Sequence, residues 1–108
     1  MLILIANPVK LIDAVAGTGA GDTFALPVRS VVLAWQTAFD VNPAAVSITL
    51  EVSIDGVAWT VLDTSTVVGG EVRTIQDVTA ALFIRANVGT NTGDKTVTVT
   101  LVAKVANP

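Results

Sequence analysis

The hydrophobic positions of this chain fall into short runs of period two. Val46 to Ile54 reads VSITLEVSI, with Val46, Ile48, Leu50, Val52 and Ile54 on one face and Ser47, Thr49, Glu51 and Ser53 on the other. That is the pattern of a strand with one face in a core and one in water. Thr96 to Val105, TVTVTLVAKV, repeats it with Val97, Val99, Leu101, Ala103 and Val105 on the apolar side. Ser30 to Thr37 alternates through Val31, Leu33 and Trp35, and Leu82 to Val88 through Leu82, Ile84, Ala86 and Val88, opposite Phe83, Arg85 and Asn87. A short strand near Glu71 to Ile75 fills the interval between these two.

Turn chemistry separates the runs: GTGAGD at Gly17 to Asp22, DVNP at Asp40 to Pro43, the Gly69-Gly70 pair, and GTNTGD at Gly89 to Asp94. Asp55-Gly56 tolerates the positive φ of a tight hairpin turn, so Val57 to Leu62 is expected to return antiparallel to VSITLEVSI. In such a hairpin Trp59 shares parity with Val57 and Val61 and belongs to the core or just beneath the surface, as Trp35 does with Val31 and Leu33. Only Ile75 to Ala81 has the character of a helical turn, and its β-branched residues argue against one. The expected fold is all-β: an antiparallel β-sandwich of jelly-roll, immunoglobulin-like or discoidin-like type, with little or no helix.

The first five residues, MLILI, are apolar without alternation. Such a segment is buried on both faces or pairs with another chain, because short uncharged β-prone runs add readily to strand edges. Asn7-Pro8 then interrupts pairing. The expected organisation is an apolar arm over residues 1–8 and one sandwich domain over residues 9–108. Met1, Leu2, Ile3, Leu4 and Ile5 are the candidate partner-binding residues, with addition to the chain's own sheet as the alternative.

Composition narrows the chemistry. Of 108 residues 52% are hydrophobic and only 14% charged, with mean hydropathy +0.71. That is apolar for a soluble monomer, so the surface is rich in Thr and Ala or is covered by partners. No run approaches the roughly 20 apolar residues of a membrane span, and MLILIA lacks the basic flank of a secretory signal; no membrane partner is expected, and the protein reads as made in the cytoplasm. The net charge is −3, and Lys10, Arg29, Arg73, Arg85, Lys95 and Lys104 are scattered, so no basic stripe exists to neutralise phosphates and no nucleic acid is expected.

There is no Cys, His or Tyr, which removes thiolate and imidazole chemistry from the available acids, bases, nucleophiles and metal ligands. The aspartates at 13, 22, 40, 55, 63, 77 and 94 lie in or beside expected turns, where the side chain caps backbone N–H groups. Asp40 to Asn42 and Asn91 to Asp94 lack the ligand spacing of a calcium loop. GTGAGD resembles a phosphate-binding glycine loop, yet no amphipathic helix follows it, and it reads as a flexible lead-in. The expectation is a protein that is not an enzyme, with no catalytic residue, metal or cofactor.

Two resemblances add to this. Ser53, Asp55, Gly56 and Trp59 form S-x-D-G-x-x-W, and Phe83 and Arg85 an aromatic-x-Arg strand; the combination, over Val46 to Val88, is similar to discoidin-like (galactose-binding-like) sandwiches and implies that fold without a binding site. The order GTGAGDTFALP, a strand, NPAAVSITLEVSIDGVAWTVL, LFIRANV and TVTVTLVAKV resembles small β-sandwich virion proteins of tailed bacteriophages, including capsid decoration and tail proteins. That resemblance implies a structural protein of the virion, made in the host cytoplasm. It would act as a cement protein stabilising the head, as a symmetric homo-oligomer such as a trimer, with the major capsid protein or other virion subunits as partners. The alternatives are a carbohydrate-binding or receptor-adhesion module and a tail or baseplate subunit.

Overall fold

The computed structural model describes residues 3–4, 8–26, 31–78 and 82–105. The strands are β1 (Ile3–Leu4), β2 (Val9–Ala16), β3 (Gly19–Ala20), β4 (Phe24–Ala25), β5 (Val31–Phe39), β6 (Val46–Ser53), β7 (Thr60–Ser65), β8 (Glu71–Val78), β9 (Phe83–Asn91) and β10 (Thr96–Val105), with no helix among the described residues. They form two sheets of five strands, and every described pairing is antiparallel.

Sheet A runs β2-β10-β5-β8, with β1 beside β10 at the edge shared with β2. Sheet B runs β3-β9-β6-β7, with β4 following β3 along the edge of β9. The pairings are nested: β2 with β10, β3 and β4 with β9, β5 with β8, β6 with β7. A long hairpin with its tip at β6–β7, rolled over so that β5 also meets β10 and β6 also meets β9, gives this order. Of the sandwich types compatible with the sequence, the jelly roll is the one realised.

The core lies between the sheets. Leu33, Trp35, Val97, Val99, Leu101 and Ala103 of sheet A face Val46, Ile48, Leu50, Ile84, Ala86 and Val88 of sheet B. The alternating strands thus bury the faces read from the sequence. Three stretches go beyond the alternation, and one of them corrects an expectation. Val9–Ala16 is a strand that alternation does not reveal, because two bulges interrupt it: Thr100 pairs with Lys10 but Val99 with Ile12, which leaves Leu11 and Ile12 both buried, and Val97 pairs with Val15, with Ala14 between at φ 53°. GTGAGD is not a loose lead-in: Gly19–Ala20 pair with Val88 and Asn87, and the Gly21 N–H donates to the Ala86 carbonyl at 2.8 Å. A methyl group at Gly21 would overlap the Leu11 carbonyl oxygen, so this close crossing between the sheets requires glycine. Residues 75–78, whose β-branched side chains argued against a helical turn, belong to β8, while 79–81 lie outside the described residues.

The opposite side of the sandwich, where β7 and β8 meet, is closed by polar groups. Trp35, 1% exposed in sheet A, donates its indole N–H to Asp63 Oδ2 on β7 at 2.9 Å. Arg73 Nε on β8 donates to the same oxygen at 2.7 Å and its Nη1 to Glu71 Oε1 at 3.2 Å. The buried Ser65 hydroxyl donates to Glu71 Oε2 at 2.6 Å, and the Glu71 N–H to Thr37 Oγ1 at 3.1 Å. Asp63, expected beside a turn, is therefore a strand residue that ties the two sheets together.

Burial by itself would raise the pKa of Asp63, but the hydrogen bonds from Arg73 and Trp35 outweigh it and hold the carboxyl below its ordinary 3.8. With a depressed folded-state pKa, the unfolded chain binds the proton more readily, so the contribution is fully present above the unfolded value and is lost as pH falls through the folded one. Asp63→Ala, which strands the Trp35 N–H, is expected to cost about 1–3 kcal/mol at neutral pH. Urea unfolding from pH 7 to pH 3 checks this: the gap between wild type and variant should shrink on acidification, and a constant gap contradicts the assignment.

Candidate functional site

The β6–β7 end of sheet B brings together residues far apart in the chain. β6 stops at Ser53 and β7 starts at Thr60, so the connection is a six-residue loop and not the two-residue hairpin that Asp55-Gly56 suggests. The cause is local side-chain capture of backbone N–H groups. Asp55 Oδ1 accepts from the N–H groups of Val57 and Ala58 at 2.8 and 2.9 Å and from the Ser53 hydroxyl at 3.0 Å. Ser53 Oγ in turn accepts from the Gly56 N–H at 2.8 Å. These bonds, led by those from Ala58 and Val57, hold the Asp55 carboxyl below 3.8. Gly56 adopts φ 78°, which a β-branched residue resists.

The loop folds back over the outer face of sheet B. Glu51 and Ser53 point away from the core yet are only 8% and 5% exposed. Glu51 pairs across the strands with Arg85, whose Nε donates to Glu51 Oε1 at 2.8 Å, while Thr49 Oγ1 donates to Glu51 Oε2 at 3.0 Å. The Arg85 guanidinium lies 4.3 Å from the centroid of the Trp59 ring. Trp59 is therefore half-buried as a clamp on this outer face, and the expectation that it belongs to the core is corrected; Trp35 does lie in the core. Ser53, Asp55, Gly56, Trp59, Phe83 and Arg85, the residues of the discoidin-like pattern, form one cluster whose direct effect is to fix the loop.

Locking the loop leaves large apolar side chains in water. Ile54, Val57, Val61 and Leu82 are 67, 81, 54 and 42% exposed, and the Leu82 N–H donates to the Ser53 carbonyl, which brings it to the same end. Alternation assigned Ile54 to the core face; the strand ends one residue before it. The signal available in the sequence was Ser53 and Asp55 flanking Ile54, a spacing suited to capping.

The other candidates are placed elsewhere. A cavity of about 290 Å³ lies where β2 crosses to β3, lined by Leu11, Ile12, Val15 and Val88 with Asp13 and Asp22. Ile3 and Leu4 pair with Val105 and Lys104 of β10, so this part of the arm adds to the chain's own sheet, while Met1, Leu2 and Ile5 lie outside the described residues. Asp40 Oδ1 caps the N–H groups of Val41 and Thr96, and Asn91 spans its turn through Gly17 and Lys95. No group of three or more potential metal ligands occurs among the described residues.

No family model matches the sequence, and no curated protein matches it. Among solved structures, the K3 cleaved adhesin domain of Lys-gingipain from Porphyromonas gingivalis W83 is similar, with TM-score 0.58 and 13% identity over 81% of this chain and 62% of that one. The chain thus spans less than two thirds of that domain, and at this identity the likeness concerns the fold. A Bacillus endospore appendage, described as a disulfide-linked pilus, aligns with TM-score 0.49 and 12% identity over 96% of this chain and 88% of that one.

Replacing Arg85 by Ala removes the group that both caps Trp59 and neutralises the buried Glu51, and is expected to destabilise the protein by about 1–3 kcal/mol. Trp59 emission should move to the red, read as the difference from the same variant carrying Trp59→Phe. Unchanged emission would mean that the stack does not hold the loop.

Proposed function

We propose that this chain is a non-enzymatic attachment module, a rigid sandwich that docks on a protein partner through the end formed by the β6–β7 loop. The observation that carries this reading is the exposure of Ile54, Val57, Val61 and Leu82 beside a loop pinned by Asp55 and by the Trp59–Arg85 stack. A pre-ordered apolar surface loses little conformational entropy on binding, so more of its contact energy appears as affinity. The fold is one that the gingipain K3 domain, an adhesin domain, also has, which is consistent with an attachment role. Fold likeness does not supply a partner.

For the setting we propose the surface of a tailed-bacteriophage particle, with the chain as a decoration protein against the major capsid protein; the support for this is the sequence resemblance over GTGAGDTFALP and the strands that follow. The mechanism is thermodynamic. A protein that binds the assembled shell and not its separated subunits shifts the equilibrium towards the shell by mass action. The carbohydrate reading rests on Trp59, but Arg85 already covers one face of that ring, so glycans are not expected to shift its emission.

Val57→Asp places a charge on the most exposed apolar side chain and touches no core residue. It is expected to weaken co-sedimentation with shells of the parent particle at least tenfold, about 1.4 kcal/mol, while thermal stability stays within about 0.5 kcal/mol of wild type. Undiminished binding by the variant contradicts docking through this end, and a saturable, glycan-dependent change in Trp59 emission would replace it with sugar recognition.

A further inference from the structure

The outer faces of the two sheets differ in kind. That of sheet B carries the Glu51–Arg85 ion pair, Asn87 and the Trp59 loop. On sheet A the residues between the inward-facing Leu33, Trp35, Thr37, Val99 and Leu101 point outward, and the register sets them in cross-strand rows. One row is Thr100, Gln36 and Val72; the next is Val102, Ala34 and Thr74. Among the described side chains of these rows the only charge is Lys10, opposite Thr100 on the edge strand β2, where it pairs with Asp13. Lys10, Gln36, Val72 and Thr74 are exposed, Val72 at 63%, and Ala34, Thr100 and Val102 half-exposed.

From this we propose that the outer face of sheet A is a self-association surface, on which a second copy of the chain packs sheet against sheet about a two-fold axis. Three features select a second copy. The chain carries a net charge of −3, so two copies repel through most surfaces but less through these two rows, whose one charge, Lys10, is paired with Asp13. Thr hydroxyls and the Gln36 amide each donate and accept, so they can satisfy copies of themselves across an isologous contact, which one-signed charges cannot do. Most of the side chains, Thr, Ala and Val, are short, which lets two such faces approach to the roughly 10 Å spacing of stacked sheets.

The size of the face sets the strength. Four strand tracks at about 4.8 Å, over about 20 Å of strand, give two copies a contact on the order of 1,000 Å². That is the low end for a specific interface, so the dimer is weak alone and is favoured where copies are concentrated on a surface. This face lies away from the β6–β7 loop and does not depend on the attachment reading.

The test is sedimentation velocity on the full chain from about 1 µM to about 1 mM. Wild type is expected to pass from monomer to dimer across this range. Ala34→Glu and the more exposed Gln36→Glu should stay monomeric, with folding checked by circular dichroism. Asn87→Glu, on the opposite face, should associate as wild type does. A wild type that remains monomeric throughout overturns the proposal, and so does association that survives both sheet A variants or is abolished by Asn87→Glu. Val57→Asp separates the two readings: it should lose particle binding and keep dimerising.

Discussion

Trp35 sits near the middle of sheet A with almost no access to water, and its indole N–H must still find an acceptor. The acceptor is a carboxylate on the other sheet, Asp63. One hydrogen bond therefore sets how β7 lies against β5, and it places a negative charge at an otherwise open side of the sandwich. The charge draws Arg73 from β8, Arg73 orients Glu71, and Glu71 takes up the Ser65 hydroxyl. No described side-chain nitrogen or oxygen is left buried without a partner. Across the molecule, where β2 crosses to β3, closure is by backbone: the Asp22 N–H reaches the Leu11 carbonyl at 3.2 Å, beside a glycine that admits no side chain. The two sides are held by different physics, charge-assisted bonds on one and close main-chain approach on the other.

Fixing β7 has a consequence at the loop. Ile48 pairs with Ser65 and Leu50 with Asp63, but Glu51 pairs with Val61, so Leu62 is an extra residue in β7. That bulge lets Leu62 pack on the core while Asp63 still reaches Trp35 and Arg73. It leaves six residues to join the strands. Rather than project into solvent, they turn back over sheet B because Asp55 gathers their N–H groups and Trp59 finds Arg85.

The strands that alternate were legible because burial of one face imposes a period of two; β6 and β10 needed nothing else, whereas β9 runs on through Gly89 and Thr90 to Asn91, residues read as a turn. β2 was hidden since two bulges break the period, the one at Leu11 leaving Leu11 and Ile12 adjacent in the core. The loop was misread for a different reason. Asp55-Gly56 is favourable in a two-residue turn, but the decision lies in competing hydrogen bonds accepted by Ser53 and Asp55 and in a stack on Arg85, 26 residues beyond Trp59. The discoidin-like pattern named the members of that cluster without revealing that they hold one another, because pairing of sequence-distant residues is a property of the register. Asp63 was assigned to a turn on residue type alone, and only a partner strand could show otherwise.

The low charge content now has a structural meaning. Glu51, Asp63, Glu71, Arg73 and Arg85 are all engaged in ion pairs inside or against the sheets, so these charges serve internal cohesion. What remains outside in the central rows of sheet A is Thr, Ala, Val and Gln, with the Lys10–Asp13 pair at the β2 edge, and at the β6–β7 end Ile, Val and Leu. Contacts made through such surfaces depend on shape and apolar area, and long-range Coulomb forces that salt would screen contribute little. If the two proposed surfaces bind, they gain little from electrostatic steering and depend on pre-ordered fit, the regime in which a locked loop and a sheet face poor in charge are advantageous.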